Sequence, residues 1–201
     1  MLDLQPATDA LSVLVRGVRN DQLSLPTPSQ GRTVADLLDH IEGFSIGFAA
    51  AAAKTSLDAP PPRAPRSADG SRLGDDWRER IPQRLDALAR AWREDAAWTG
   101  MTRAATIDLT GTDAGIFALD EVVVHSWDLA VASGQSFTCR SDLLEALYRF
   151  LSDFVAANPN GAPGLFGPRV VVPESADLLD QVVGLTGRDP AWRPTADSLP
   201  R

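Results

Sequence analysis

The sequence predicts an all-α protein, a bundle of amphipathic helices joined by one long crossover and accompanied by a short strand pair. Three observations carry this. Successive stretches place apolar residues three and four apart, the period of a helix with one buried face. A single proline-rich segment, residues 55–72, interrupts them, and a bundle with a crossover needs a connection of that length. Only residues 100–113 alternate, weakly and between glycines, as a strand or hairpin does.

The first helix is expected over Thr8 to Asn20, with Leu11, Leu14, Val15 and Val18 on its buried face and Thr8 as cap. Two prolines between Leu23 and Gly31 break it. The second opens at Thr33, with Asp36 completing a variant of the capping box, and carries Leu37, Ile41, Phe44 and Phe48. His40 falls on that apolar stripe. After the linker, a third helix from Asp75 to Trp98 sets Trp77, Ile81, Leu85, Leu88 and Trp92 on its inner face, with a bend at Pro82. A fourth starts at a cap on Asp113 and ends at Gly134. A fifth follows Ser141, then come a glycine and proline loop, a strand-like RVVVP at 169–173, and a short helix from Ser175 to Gly187.

The 201 residues are expected to form one domain, 1–201. With 44% hydrophobic and 23% charged residues the chain has the composition of a folded protein. The N-terminus has no basic region leading into an apolar one, and no apolar run approaches the ~20 residues that span a bilayer, so a cytoplasmic protein off the membrane is expected. A net charge of −8 repels phosphate backbones and argues against nucleic acid as a partner. Cys139 is the only cysteine, which excludes an internal disulfide and a thiolate zinc cluster. With no histidine near it in sequence, it is expected to be a packed residue and not a nucleophile.

The chemistry concentrates on the fourth helix. At about 100° per residue, Glu121, His125 and Asp128 share one face within roughly 60°. The other directions hold Leu119, Val122, Val123, Val124, Trp127 and Leu129. A helix apolar nearly all round is an interior helix, so its polar stripe faces the inside of the bundle. A buried carboxylate beside a histidine needs compensation, which a divalent cation supplies while taking both as ligands. The third ligand must come from another helix, and His40 is the one other histidine. The alternatives are a core histidine bonded to a carbonyl for His40 and an exposed i, i+4 ion pair for Glu121 and His125. Asp128, one turn beyond His125, is expected either behind that ligand or facing a substrate. The mixed nitrogen and oxygen set suits zinc first, or nickel or iron.

The segments TVADLLDHIEGF, ALDEVVVHSWDLAVASGQ and GLFGPRVVVPESADLLDQVVGLTGRDPAW resemble the DinB-like superfamily, in the branch related to the N-terminal domain of mycothiol-dependent maleylpyruvate isomerase. The resemblance implies a four-helix bundle with a long crossover. It also implies a metal held by a histidine on the second helix and by an acidic residue and a histidine four apart on a later one, the positions of His40, Glu121 and His125. Enzymes of that family use the metal to hold or activate the thiolate of a small cofactor such as mycothiol or bacillithiol. For this chain the implication is a metal-dependent transferase or isomerase that uses a mycothiol-type thiol on a small electrophilic substrate. Its rivals are a non-enzymatic, metal-containing interaction or stress-response bundle, with a homodimer through an exposed helix face as one form of it, and a metal-assisted hydrolase with Asp128 as base. Against the isomerase, this chain is expected to lack the C-terminal domain that follows the bundle.

Overall fold

The computed structural model describes residues 1–55, 68–105, 107–162 and 165–194. Most of the crossover expected at 55–72 therefore lies outside the described residues. Among the described residues, six α-helices make up the bulk of the fold: α1 (Gln5–Gly17), α2 (Val34–Ala52), α3 (Trp77–Ala91), α4 (Gly111–Ser133), α5 (Ser141–Ala157) and α6 (Leu178–Leu185). Between α3 and α4 a hairpin pairs β1 (Met101–Ala104) with β2 (Ile107–Thr110), antiparallel, with Thr102 opposite Leu109.

The first four helices close a ring. α1 packs on α3 and α4, and α2 packs on the same two, so α1 and α2 stand on one diagonal and α3 and α4 on the other. The core inside the ring includes Leu11, Val15, Leu38, Ile41, Ile81, Leu85, Leu88, Leu119 and Val122, all fully buried. α5 and α6 lie outside the ring, packed on each other and on α4. α4 is thereby enclosed on most sides, which is why it is apolar nearly all round. No helix among the described residues is long and apolar enough to cross a membrane.

Several helix ends differ from expectation, each for a local reason. α1 begins at Gln5, not Thr8. Pro6 in the first turn supplies a preset φ, and Thr8, fully buried, donates its hydroxyl to the Gln5 carbonyl instead of capping. α3 stops at Ala91 because the chain folds back through a 3-10 turn at Asp95–Trp98. There the Trp98 indole donates to the Trp92 carbonyl at 2.8 Å, and the two rings meet edge to face. Gly115 of α4 permits that pairing, since a Cβ there would meet the Trp98 ring at 2.5 Å. The cap of α4 is Thr110, whose hydroxyl accepts from the Asp113 amide at 3.1 Å, so Asp113 lies inside the helix. Residues 169–173 form no strand. Their one backbone link to α6 runs from Val170 N–H to the Gly184 carbonyl, and Val171 is 83% exposed. α6 itself is shorter than expected, Leu178–Leu185.

The start of α2 is as the sequence predicts. Thr33 and Asp36 exchange both capping-box bonds, at 3.2 and 2.9 Å. The second oxygen of Asp36 accepts the Gly70 amide at 2.7 Å, while Arg72 pairs with Asp39 at 2.5 Å and Arg80 with Glu42 at 2.7 Å. The chain returning from the linker is thus fastened along α2 on either side of His40.

Candidate metal centre

α2 and α4 are neighbours in the ring, and their facing stripes bring His40, Glu121 and His125 together. The Nε2 of His40, the Oε2 of Glu121 and the Nε2 of His125 form a triangle with all three edges at 3.1 Å. The i, i+4 spacing on α4 and the position of His40 on the flank of α2 account for the convergence. The two imidazoles stand nearly perpendicular, with centroids 4.7 Å apart, and the Phe44 ring stacks on His125 at 6.0 Å.

These three atoms do not satisfy one another. Two ring N–H groups at most serve three edges, and if both point at Glu121 the remaining edge sets donor against donor. Converging lone pairs are what a cation requires. For bonds of about 2.1 Å, donors in a tetrahedral site lie about 3.4 Å apart, and adjacent donors in an octahedral one about 3.0 Å apart. The observed 3.1 Å falls between the two, so the donor set fits a divalent ion in size and chemistry. Side-chain exposure is 33% at His40, 24% at Glu121 and 11% at His125. The triangle therefore opens to solvent on the side of His40 and Glu121.

Behind His125 the arrangement is closed. Its Nδ1 lies 2.9 Å from Asp128 Oδ2, and Asp128 is fully buried. The carboxylate accepts the Nδ1 hydrogen, which fixes the tautomer whose Nε2 lone pair faces the triangle. Asp128 in turn accepts from Arg188, at 3.1 Å to Oδ2 and 3.4 Å to Oδ1. Of the two roles expected for Asp128, the geometry matches the one behind the ligand. It has no access to the open side, which leaves a metal-assisted hydrolase without the base the sequence suggested.

The electrostatics follow from this packing. Burial works against a charged His125, but the carboxylates of Asp128 and Glu121 outweigh it and raise its pKa to about 9. Burial also opposes the charge on Glu121, yet its bonds to His125 and His40 hold the carboxyl well below its usual range. Asp128 is likewise depressed against burial, by the charge of Arg188 and the bond to His125. Asp120 goes the other way: burial, with Glu121 beside it, pushes it up to about 7, and its Oδ1 has no partner among the described residues. Cys139 is half-buried, and its thiol is pushed up to about 11 by desolvation, consistent with a packed residue.

Sequence reasoning missed Arg188, Asp120 and Phe44 as parts of this centre. A carboxylate inside an apolar helix was a signal available for Asp120. Arg188 is 60 residues from Asp128, and no local spacing links the two.

The family model described as the mycothiol maleylpyruvate isomerase N-terminal domain matches residues 4–130, a span that contains all three corners of the triangle. Two uncharacterized proteins, from two strains of Mycobacterium tuberculosis, are each 28% identical over 187 residues, covering 92% of this chain and 94% of the relative. Among solved structures, the mycothiol-dependent maleylpyruvate isomerase superposes with a TM-score of 0.69 at 18% identity, over 98% of this chain and 92% of that one. A histidine-to-alanine mutant of that enzyme gives a TM-score of 0.62 at 20% identity, over 79% of this chain and 70% of that one. These likenesses establish the shared fold. The match with a TM-score of 0.69 takes in α5 and α6 as well as the four-helix ring.

Proposed function

The chain belongs to the family of the mycothiol maleylpyruvate isomerase N-terminal domain, and from that premise we propose that it is a metal-dependent enzyme in which a mycothiol-type thiol attacks a small electrophile, with transfer or isomerisation as the outcome. The observation that carries the proposal is the 3.1 Å triangle of His40, Glu121 and His125, backed by an aspartate that leaves Nε2 of His125 free to ligate. Three protein ligands with an open side make a catalytic type of site and not a structural one. Zinc suits the mixed set best, with nickel or iron as the other candidates. When bound, such an ion lowers the pKa of a coordinated thiol from about 8.5, so that the thiolate forms at neutral pH.

The residues divide the work. His40 and Glu121 form the exposed edge by which a thiol enters. Asp128 and Arg188 keep the imidazole of His125 from turning. Phe44 shields the face of that ring from water.

With cobalt(II) in place of the native ion, titration with mycothiol or a simple cysteine derivative is expected to produce a sulfur-to-metal charge-transfer band. A spectrum that responds to carboxylates or phosphates but to no thiol would sink the thiol proposal.

Metal affinity is expected to depend on pH with a definite sign. Without metal, the raised pKa of His125, about 9, means that its charge stabilises the fold fully below its unfolded value near 6.5, and that this contribution disappears as pH rises through 9. Metal must displace that proton, so affinity should climb about tenfold per pH unit between pH 7.5 and 9, with about one proton released per site. Calorimetry in buffers of different ionisation enthalpy measures both. A flat profile over that window would rule out a protonated His125 in the free site.

A further inference from the structure

The stretch at 169–173 that reads as a strand and forms none has a place in the fold that the metal centre does not use. Its first residue, Arg169, and Leu185 of α6 form one wall of a cleft of about 490 Å³. The other wall belongs to α5: Tyr148, Ser152 and Val155, spaced four and three apart and so on one face, with Pro159 just past the helix end. Tyr148 and Ser152 each follow a fully buried leucine, Leu147 and Leu151. They therefore stand at the edge of the face by which α5 packs on the protein.

The wall that carries Arg169 is fixed through its backbone. The Val170 amide donates to the Gly184 carbonyl at 2.9 Å, and a Cβ at Gly184 would run into Val172. On the other side of Arg169, Gly167 is crossed by two more segments of chain. A Cβ at Gly161 would meet its carbonyl carbon at 2.8 Å, and one at Gly187 would meet it at 3.1 Å. Gly161 and Gly187 have φ of +85° and +82°, a region that residues with side chains rarely adopt. Arg169 thus stands between a backbone crossing at Gly167 and an amide anchor at Val170, which sets where its side chain starts.

Three polar side chains line the cleft, and none is committed elsewhere among the described residues. Arg149 and Arg188 are paired with Glu145 and Asp128, whereas Arg169 is exposed and forms no ion pair there. Ser45, Ser126 and Ser133 each donate to the carbonyl one turn back at 2.6 Å, the common outlet for a serine inside a helix. Ser152 makes no such bond, and the Tyr148 hydroxyl has no partner either. No carboxylate is among the described lining residues, and residues 163 and 164, which lie outside the described ones, are alanine and proline with no charge to add. In a chain of net charge −8, a cation that no carboxylate has claimed stands beside two hydroxyls over valine, proline and leucine. Apolar walls with a few polar groups, enclosing ~300–1,000 Å³, are the composition of a small-molecule site.

We infer that this cleft is a second ligand site, sharing no residue with the metal centre, which takes a small organic monocarboxylate with an apolar body. The guanidinium of Arg169 and the hydroxyls of Tyr148 and Ser152 receive the carboxylate, and the apolar body lies against Val155, Pro159 and Leu185. One guanidinium matches one carboxylate in charge and in its forked geometry. The test follows the backbone amide NMR shifts of the full chain during titration with phenylacetate, phenylacetamide and acetate. Phenylacetate is expected to give saturable shifts centred on Ser152, Gly161, Arg169 and Leu185. It should bind at least about tenfold more tightly than the uncharged amide and than acetate, which lacks the ring. Arg169→Gln should weaken phenylacetate about tenfold and Tyr148→Phe about threefold, while Arg149→Gln, next to Tyr148 but not part of the lining, should change nothing. Arg169 and Arg149 are both exposed, so neither variant puts the fold at stake. Equal affinity for phenylacetate and its amide, binding that survives Arg169→Gln, or an equal loss in Arg149→Gln would overturn the inference. So would shifts that never saturate, or that centre on His40, Glu121 and His125 and so place the carboxylate at the triangle.

Discussion

His125→Ala is expected to abolish metal retention, lowering affinity well beyond the ~10–100-fold that losing an outer partner costs, and to remove the thiol-dependent absorption band entirely. The position bears this weight because His125 alone joins both halves of the centre: Nε2 forms one corner of the triangle and Nδ1 binds Asp128. Loss of the metal also has a thermal signature. An ion present at about a thousandfold its Kd stabilises the native state by about 4 kcal/mol, so wild-type protein should lose its melting advantage on chelation and the variant should have none to lose. Elemental analysis and paired melting curves with and without chelator measure the two effects. A variant that keeps one equivalent of metal would remove the triangle from the proposed chemistry.

The second large effect concerns stability as much as function. Arg188→Met should destabilise the protein by about 3–5 kcal/mol, because it removes the arginine from the fully buried Asp128 carboxylate and leaves His125 as its one remaining partner among the described residues. Asp128→Asn in the same background removes that buried charge, and the double variant should regain most of that loss. It should not regain metal affinity, since asparagine is a poorer acceptor for the Nδ1 hydrogen and holds the ring less firmly. Denaturant unfolding of the four proteins of this cycle, with metal titrations on each, gives the coupling directly. If Arg188→Met were no less stable than wild type, the pair would be an incidental contact.

Much of this was legible along the chain. Thr33 and Asp36 announced the start of α2 because a capping box is a local pattern, and the structure forms both of its bonds. His40, Glu121 and His125 stood out because polar residues on otherwise apolar helix faces need an explanation. The start of α1 was misplaced because Thr8 resembles a cap while Pro6 sets the first turn, and two local rules competed. The apolar run at 169–173 resembled a strand, but a strand exists only with a partner, and the described residues give it none. Arg188 was invisible for the same physical reason: its significance lies entirely in Asp128, on an element remote in sequence.

The ring order of the helices has a kinetic consequence. The two halves of the metal centre are neighbours in space, yet His40 and Glu121 are 81 residues apart along the chain, and α3 and the hairpin must be threaded between them. No short stretch can assemble the triangle in advance, so the loop entropy of that closure is lost before the ion has three donors to bind. An ion that binds only after the rate-limiting step acts on the way out of the native state: it lengthens the lifetime of the fold by slowing unfolding and leaves the speed of folding nearly untouched.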